Sequence, residues 1–367
     1  MIQISKPSIG QLELARVQEV FESAWLGQGS VVQAFEECIR ERIRAPQVVA
    51  VNTGTSALHL ALDALGIGEG DEVIVPSLTF CASVQAITAL RAKPVFCEIS
   101  PDTLHLDLAD VAARITSRTR VIMPVHYCGN ACDMDALIEL CRGRGLRLVE
   151  DAAHAFGSSW RGRKLGSFGD VTCFSFDPIK NITCGEGGAV CTGDEKLADL
   201  VRRKRVLGIS RDGWNRRLST RGDYEVATQG YRCHMSNINA AIGLAQMGRY
   251  DEFLRRKREI VSFYNQRLAG VRGIALLQWN LEEAFPFAYM IRVPGGRREA
   301  LMDVLKERGV ASGVHYPPNH LQPLFRGSTH LPVTEQVGQE ILSLPLYCDM
   351  TDADVEQVIR SIIEFFV

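Results

Sequence analysis

The sequence predicts an α/β protein with a large three-layer domain, in which helices cover both faces of a mostly parallel sheet, and a smaller C-terminal α+β domain. Short apolar runs typical of strands alternate with helical patterns through the first two-thirds of the 367 residues, as they do in α/β folds. These runs are apolar at nearly every position, which is typical of parallel strands buried on both faces. The last third mixes strands and helices without that alternation.

Each element of the large domain has its own signal. Turn residues or prolines bound the apolar runs, and helical periodicity fills the stretches between them. The predicted strands are 48–51, 71–75, 121–125, 146–150, 171–176 and 188–191. The predicted helices are 56–65, 134–141 and 236–244.

The division between the two domains is predicted at a turn between the helices 236–244 and 252–268. This gives a large domain of residues 1–250 and a small domain of residues 251–367, both within the usual size range. The small domain is predicted to contain strands at 287–293 and 310–315 and helices at 297–308 and 352–366. The charged, aperiodic segment 208–230 predicts a long loop.

Composition and charge argue against several classes of partner. A net charge of −2 gives no electrostatic reason to expect nucleic acid or an anionic membrane. Two basic runs, 202–205 and 255–258, lie in helical patterns and are interpreted as solvated helix faces. No apolar segment in the sequence approaches the roughly 18 residues that span a bilayer.

The cysteines and the N-terminus indicate a cytoplasmic location. Eleven cysteines are scattered, mostly in apolar stretches and without a Cys-x-x-Cys pair, which is typical of reduced, buried thiols. Because ligands are not clustered, a metal site is not expected. The first residues lack the basic and apolar regions of a signal peptide.

The stretch 174–188 contains the strongest candidate for chemistry, Lys180. An apolar strand leads into it, and a Gly-Glu-Gly-Gly turn at 185–188 lets the backbone approach another group closely. A buried lysine amine loses its proton more easily and can then attack an aldehyde. Most other lysines, including Lys204 and Lys257, are predicted on polar helix faces or in turns. The alternative for Lys180 is an ordinary surface lysine in a loop.

Asp151 follows an apolar strand, at the end where open α/β sheets bind ligands. Its carboxylate is a candidate partner for a protonated pyridine nitrogen, and such a partner lets the ring accept electrons. His154, predicted one helical turn further on, can stack on such a ring or hydrogen-bond to it. The alternative for Asp151 is the N-cap of a helix.

A strand, a turn containing Gly54 and a hydroxyl-rich helix start form a candidate phosphate site. The amides and hydroxyls of Thr55 and Ser56 would bind the phosphate, although many helices begin with such residues and bind none. Phe80 offers an aromatic face for a flat cofactor, and its alternative is an ordinary place in the core. The sequence lacks the glycine patterns of nucleotide-hydrolysing loops and of dinucleotide-binding folds.

With these groups in this order, the chain resembles the nucleotide-sugar aminotransferases called the DegT/StrS family, which have the aspartate-aminotransferase fold. The resemblance extends from about residue 5 to residue 349. It rests on the segments 52–58, 150–154, 166–170, 174–180, 185–188, 230–236, 239–243, 315–317 and 320–323. Each motif is short, and their common order and spacing make the resemblance specific.

The resemblance implies that Lys180 is the catalytic residue and holds pyridoxal 5′-phosphate as a Schiff base. It also implies that Asp151 pairs with the pyridine nitrogen and that His154 contacts the ring. The cofactor phosphate would be bound by three hydroxyl side chains, those of Thr55, Ser56 and Ser175.

Family members are homodimers with each site at the subunit interface, where a partner-chain asparagine often reaches the phosphate. At that position, two residues after Gly230, this sequence has Arg232, and arginine can bind phosphate through two hydrogen bonds. Asp177 stands where histidine or alanine is frequent. His315 and Tyr316 resemble the segment that faces the sugar nucleotide, and their alternative is a purely structural role.

The implied reaction is transamination of a nucleotide-linked 3- or 4-keto-6-deoxyhexose with L-glutamate, which gives an amino sugar nucleotide and 2-oxoglutarate. Such products enter amino sugar and polysaccharide biosynthesis. A related sugar dehydratase would have histidine in place of Lys180. The remaining alternatives are a non-catalytic regulatory or binding protein with the same fold and a dinucleotide-dependent oxidoreductase.

Overall fold

The computed structural model describes residues 1–209 and 224–367. Most of the loop predicted at 208–230 therefore lies outside the described residues. The helices of the described residues are α1 (Gln11–Glu22), α2 (Ser30–Ile43), α3 (Gly54–Ala64), α4 (Cys81–Thr88), α5 (Leu108–Arg114), α6 (Met134–Arg144), α7 (Glu195–Lys204), α8 (Asn237–Gly248), α9 (Tyr250–Leu268), α10 (Arg298–Glu307), α11 (Pro332–Glu340) and α12 (Asp352–Phe366). None of them is both long enough and apolar enough to cross a membrane.

A seven-stranded sheet forms the centre of the fold, with the order β1-β9-β8-β5-β4-β2-β3. The strands are β1 (Gln47–Val51), β2 (Glu72–Pro76), β3 (Lys93–Cys97), β4 (Thr119–Ile122), β5 (Arg147–Asp151), β6 (Ser159–Trp160), β7 (Arg163–Lys164), β8 (Val171–Ser175), β9 (Gly188–Thr192), β10 (Ala275–Leu276), β11 (Tyr289–Arg292) and β12 (Ile341–Leu344). Strand β9 runs antiparallel to both of its neighbours, and the other four pairings are parallel. The predicted mostly parallel sheet is confirmed.

Helices cover both faces of this sheet, as the uniformly apolar strands predict. Along β1, Val48 and Ala50 belong to one apolar core, which also contains side chains of α2, α5 and α6. Val49 and Val51 point to the opposite face and belong to a second core with side chains of α3, α4 and α7. The alternation follows from the two-residue period of a strand. The large part of the molecule therefore has the three layers predicted.

The C-terminal third forms a third apolar core around α9, α10, α12 and the antiparallel sheet β10-β11-β12. Ile2 belongs to this core as well, because its backbone pairs with Val310. The predicted strand 310–315 is wrong: Val310 bridges to Ile2, whereas Gly313 bridges to Ser343. A continuous ladder cannot form when the two ends of a segment pair with different partners. The domain division after residue 250 stays a prediction.

Three members of the two basic runs are buried. For these three residues, the interpretation of the runs as solvated helix faces is wrong. Lys204 lies 2.8 Å from the carboxylate of Asp63. Arg205 forms an ion pair with Glu36 at 2.5 Å. Lys257, also predicted on a polar face, is 5% exposed. Helical periodicity shows which residues share a face, but distant parts of the chain decide whether that face is covered.

Gly157 lies in the turns that follow β5 and contacts the first residue of α9, so its substitution tests how these two segments pack. Its φ is +90°, and a Cβ there would collide with the hydroxyl of Tyr250, which donates to the Gly157 carbonyl at 2.9 Å. Gly157→Ala should lower the free energy of unfolding by about 3 kcal/mol or more. Gly145→Ala is the control, because its φ is +65° with nothing within 4 Å, and it should cost about 1 kcal/mol. If chemical denaturation showed the same loss of unfolding free energy for both variants, this contact would be contradicted.

Candidate functional site

Strands β1, β5 and β8 end at one edge of the sheet, and the chain segments that follow them meet there. Gly188, at the start of β9, pairs with both Val51 and Ser175. Asp151, at the end of β5, pairs with Cys173 of β8. Ligands bind outside the carboxyl ends of strands in open α/β sheets. The candidate residues following these strands therefore converge at the edge where a ligand is expected.

Asp151 presents a buried carboxyl group at this edge, with 3% of the residue exposed. Its Oδ2 accepts a 2.6 Å hydrogen bond from Ser83 Oγ, and its Oδ1 accepts a 3.1 Å bond from the amide of Ala153. Burial raises the pKa of Asp151, although these hydrogen bonds and the nearby Lys180 charge act in the opposite direction. Turns follow Asp151, so neither the alternative helix N-cap nor the predicted helical turn to His154 is present.

Lys180 lies in the turn after β8, with its backbone amide bonded to the carbonyl of Asp177 at 3.1 Å. The residue keeps some exposed surface, but its Nζ lies among protein atoms, 4.3 Å from the centre of the Phe287 ring. Burial lowers the pKa of Lys180 to about 8, against the opposing charges of Asp177 and Asp151. These features disfavour the alternative of an ordinary surface lysine, and the catalytic role of Lys180 stays a prediction.

Aromatic side chains surround the space beside Lys180. His154 is stacked on Phe287 with ring centres 4.2 Å apart, and its Nε2 lies 3.3 Å from the hydroxyl of Tyr316. Tyr316 in turn contacts Phe80, with ring centres 5.3 Å apart. Phe80 is 51% exposed, so its alternative place in the core is wrong. These rings form a wall with one open aromatic face.

His315 joins the same group of residues. Its Nδ1 lies 2.8 Å from Ser343 Oγ, and its backbone carbonyl accepts a hydrogen bond from the Tyr127 hydroxyl. Burial and the Lys180 charge lower the pKa of His315, which places the imidazole within electrostatic reach of the amine. The structure therefore brings His315 and Tyr316 to the Lys180 site.

The predicted phosphate-binding residues meet at the start of α3. Thr53 is the N-cap, and its hydroxyl bonds to both the amide and the hydroxyl of Ser56, at 3.0 and 2.9 Å. Thr55 is exposed in the first turn. Gly54 lies directly against Ser175, because a Cβ on Gly54 would fall 2.7 Å from the Ser175 Cβ. Hydroxyl groups from two strand ends thus converge at one helix N-terminus, where an anion is favoured.

Arg232 is exposed, and a different segment of the chain brings it to the same edge. Its backbone bridges to Val206, and the next residue, Cys233, accepts a 2.7 Å hydrogen bond from the amide of Asn52. The segment therefore runs beside the turn that leads into α3. Binding of phosphate by Arg232 stays a prediction.

The residues present fit pyridoxal phosphate. Buried nitrogen and oxygen atoms normally have hydrogen-bond partners, yet His154 Nδ1 and Asn52 Oδ1 have none among the described residues. An open aromatic face, a lysine amine of lowered pKa and a buried carboxyl lie in the same region. A flat ring with an aldehyde, a nitrogen and a phosphate matches this set of groups.

Sequence reasoning missed several residues of the site. Ser83, which donates to Asp151, lies 68 positions away in the chain. Phe287 was placed in a predicted strand, but nothing in its neighbourhood indicated contact with His154 or Lys180. Lys257 was assigned to a polar face, yet its Nζ donates to Asn181 at 2.8 Å. Only the folded chain brings these residues together.

One family model matches nearly the whole chain. The sequence profile described as the DegT/DnrJ/EryC1/StrS aminotransferase family matches residues 7–363. This range includes every candidate site residue.

Solved structures agree with this match. The aminotransferase TlmJ from Streptoalloteichus hindustanus is 37% identical, with 99% of this chain and 98% of that chain covered and a TM-score of 0.93. DesV of S. venezuelae, in complex with a ketimine intermediate, is 36% identical, with coverages of 96% and 94% and a TM-score of 0.89. The PLP-form of the putative sugar aminotransferase Spr1654 from Streptococcus pneumoniae is 30% identical, with coverages of 100% and 99% and a TM-score of 0.93.

The exposure of Phe80 leads to a stability prediction. Phe80→Ala should lower the free energy of unfolding by less than about 1 kcal/mol, because the ring is already half in solvent. Phe156→Ala is the matched control: its ring is 3% exposed and packs against Phe174 and Phe176, so it should lose about 3–5 kcal/mol. Urea denaturation of both variants measures the difference. A loss of unfolding free energy for Phe80→Ala as large as that for Phe156→Ala would show that Phe80 packs in the core.

Proposed function

Because the chain belongs to the DegT/DnrJ/EryC1/StrS aminotransferase family and is a pyridoxal-phosphate-dependent aminotransferase, we propose that it aminates a nucleotide-linked keto sugar. The acceptor is a 3- or 4-keto-6-deoxyhexose, and the amino donor is L-glutamate. The products are an amino sugar nucleotide and 2-oxoglutarate. The sugar aminotransferases among the similar structures support this choice of acceptor. Family membership disfavours the regulatory-protein and oxidoreductase alternatives, and Lys180 disfavours the dehydratase.

One observation carries the proposal: the amine of Lys180 and the carboxyl of Asp151 are buried at the same edge of the sheet. Burial raises the pKa of Asp151 and lowers that of Lys180, whereas the charge of each group shifts the pKa of the other the opposite way. Each group therefore lowers the free-energy cost of the other's charge. Transamination requires a lysine that can lose its proton and a carboxylate that can hold a ring nitrogen.

Bound pyridoxal phosphate supplies an aldehyde and an electron-accepting ring. Lys180 Nζ would move a proton between the amino-bearing carbon of the substrate and the aldehyde carbon of the cofactor, and a pKa of about 8 suits both directions near neutral pH. Asp151 holds a proton on the ring nitrogen, while Ser83 fixes the carboxylate through its 2.6 Å hydrogen bond. His154 and Phe80 orient the ring from its edge and face. Thr55, Ser56, Ser175 and Arg232 bind the phosphate.

The acceptor sugar approaches from the side of His315 and Tyr316. Tyr316 contacts both Phe80 and His154, so a ring bound between them would be reached from this segment. Burial raises the pKa of the Tyr316 hydroxyl, which therefore stays protonated and can donate to a sugar oxygen. These contacts support a substrate role over a purely structural one.

We further propose a homodimer that works in the cytoplasm. Leu14 is 60% exposed, and with Val17, Pro178 and Ile242 it lines an apolar groove of about 530 Å³. Exposed apolar patches of this kind mark interaction surfaces. Because Pro178 lies two residues before Lys180, a second copy seated there would adjoin the site. All eleven cysteines are free thiols, which fits a reducing compartment.

Lys180→Ala should abolish the visible absorbance of bound cofactor and turnover together, because it removes the amine that would bind the cofactor aldehyde and move the proton. Purified protein would be mixed with L-glutamate and a panel of dTDP-, GDP- and UDP-linked 3- and 4-keto sugars, and 2-oxoglutarate release measured. The control variant Phe156→Ala keeps every site residue and should keep the absorbance at temperatures where it is folded. Full activity of Lys180→Ala would rule out its assignment. If none of the sugars in the panel led to release of 2-oxoglutarate, the proposed acceptor would be ruled out.

Leu14→Asp should convert the dimer to a monomer, because a charge in an apolar interface loses its hydration. Size-exclusion chromatography with light scattering measures the mass. Leu324→Asp is the matched control, since Leu324 is 75% exposed and lies outside the groove. A wild-type monomer, or a dimer unaffected by Leu14→Asp, would disprove this interface.

A further inference from the structure

Lys257 of α9 is a buried amine without a carboxylate partner. The residue is 5% exposed, and its Nζ donates to Asn181 Oδ1 at 2.8 Å. Among the residues that the structure describes, no Asp or Glu oxygen forms an ion pair with it. By contrast, the buried Lys204 is paired with Asp63 at 2.8 Å. An unpaired buried ammonium is costly, and such groups are concentrated where a shifted pKa has a use.

The position of Lys257 links it to Lys180 from two directions. Its hydrogen-bond partner Asn181 is the residue that directly follows Lys180. The side-chain Nδ2 of Asn181 donates in turn to the carbonyl of Phe285 at 2.9 Å. Two residues further on, the Phe287 ring lies 4.3 Å from Lys180 Nζ. Lys257 thus anchors both the backbone that carries Lys180 and the segment against which its amine packs.

Lys180 and Lys257 also line the same small cavity. Its volume is about 20 Å³, enough for a single water molecule. Little solvent fits into so small a space, so charges on the residues that line it are poorly shielded from each other. A positive charge on Lys257 therefore disfavours a proton on Lys180, while burial lowers the pKa of Lys257 as well.

We propose that Lys257 is a positioning residue that holds the Lys180 turn through Asn181 and, by its positive charge, favours the uncharged form of the Lys180 amine, which can accept a proton. This inference rests on the proposed role of Lys180 as the base. It gives the buried, unpaired amine of α9 a function in the reaction, although Lys257 touches neither substrate nor cofactor.

The electrostatics of Lys180 agree with this role. Burial is the largest cause of its lowered pKa, and the charge of Lys257 acts in the same direction. The charges of Asp177 and Asp151 oppose it. The other titratable groups coupled to these two amines are His154, His315 and Cys348. Since the pKa of Lys180 is lowered, removal of the Lys257 charge should raise it.

The test measures the pKa of Lys180 directly. Full-length protein, with cofactor removed, is acetylated by a trace of acetic anhydride at pH values from 6 to about 11, and mass spectrometry of the Lys180 peptide gives the rate. Wild-type protein should show a midpoint near pH 8. Lys257→Met should raise the midpoint by about one unit, which slows labelling about tenfold at any pH below both midpoints.

Three further variants separate charge from structure. Lys257→Gln keeps a donor for Asn181 without the charge, so it should show the same rise, and it serves if Lys257→Met does not fold. Lys257→Arg keeps the charge and should restore the wild-type midpoint. Lys204→Gln is the matched control, because its charge is paired with Asp63; it should lose stability without moving the midpoint.

An unchanged midpoint in folded Lys257→Met or Lys257→Gln would overturn the inference, as would an equal rise in Lys204→Gln. The proposed function is tested separately by the visible absorbance of the same wild-type protein after pyridoxal phosphate is added. Absence of that absorbance would overturn both, whereas normal absorbance with an unmoved midpoint would overturn only the role of Lys257.

Discussion

The burial of two ionisable groups of opposite sign at one sheet edge is the constraint on which the site depends. Removal from water lowers the pKa of Lys180 and raises that of Asp151, so both groups are driven toward their neutral forms. The charge of each group opposes this effect of burial on the other. A ligand with a basic ring nitrogen and an electrophilic carbon relieves both costs at once. The surrounding hydroxyls and rings then only have to orient that ligand.

The sheet topology explains why these groups are neighbours. Strands β1 and β8 run in the same direction but are separated by the antiparallel β9, whose first residue, Gly188, pairs with the last residue of each. Because β9 begins where its neighbours end, the start of α3, which is the proposed phosphate site, and the Ser175 hydroxyl lie at one edge. Glycine at 188 is required there, since a Cβ would collide with the carbonyl of Thr53. The single reversed strand is therefore part of the binding site.

Much of this arrangement could be predicted from local signals. The strand that ends near Asp151, the strand that leads to Lys180 and the helix that carries Ser56 are predictable because apolar runs, turn residues and hydroxyls occur within a few positions of each other. The burial of Lys204 and Lys257 could not be predicted, because their partners Asp63 and Asn181 lie 141 and 76 positions away. Reading 310–315 as a strand failed for a similar reason: its residues are apolar enough, but their backbone partners come from opposite ends of the chain.

The two ends of the proposed site come from different parts of the molecule. The groups assigned to the cofactor belong to the edge of the large sheet, whereas His315 and Tyr316 belong to a segment that pairs with Ile2 and Ser343. Mutations in that segment would reshape the proposed acceptor side of the site, while Lys180, Asp151 and Ser175 stay at the edge of the large sheet; Tyr316, which contacts His154 and Phe80, joins the two ends. Evolution, or a designer of new sugar specificities, can thus vary the substrate while the shared chemistry is inherited unchanged.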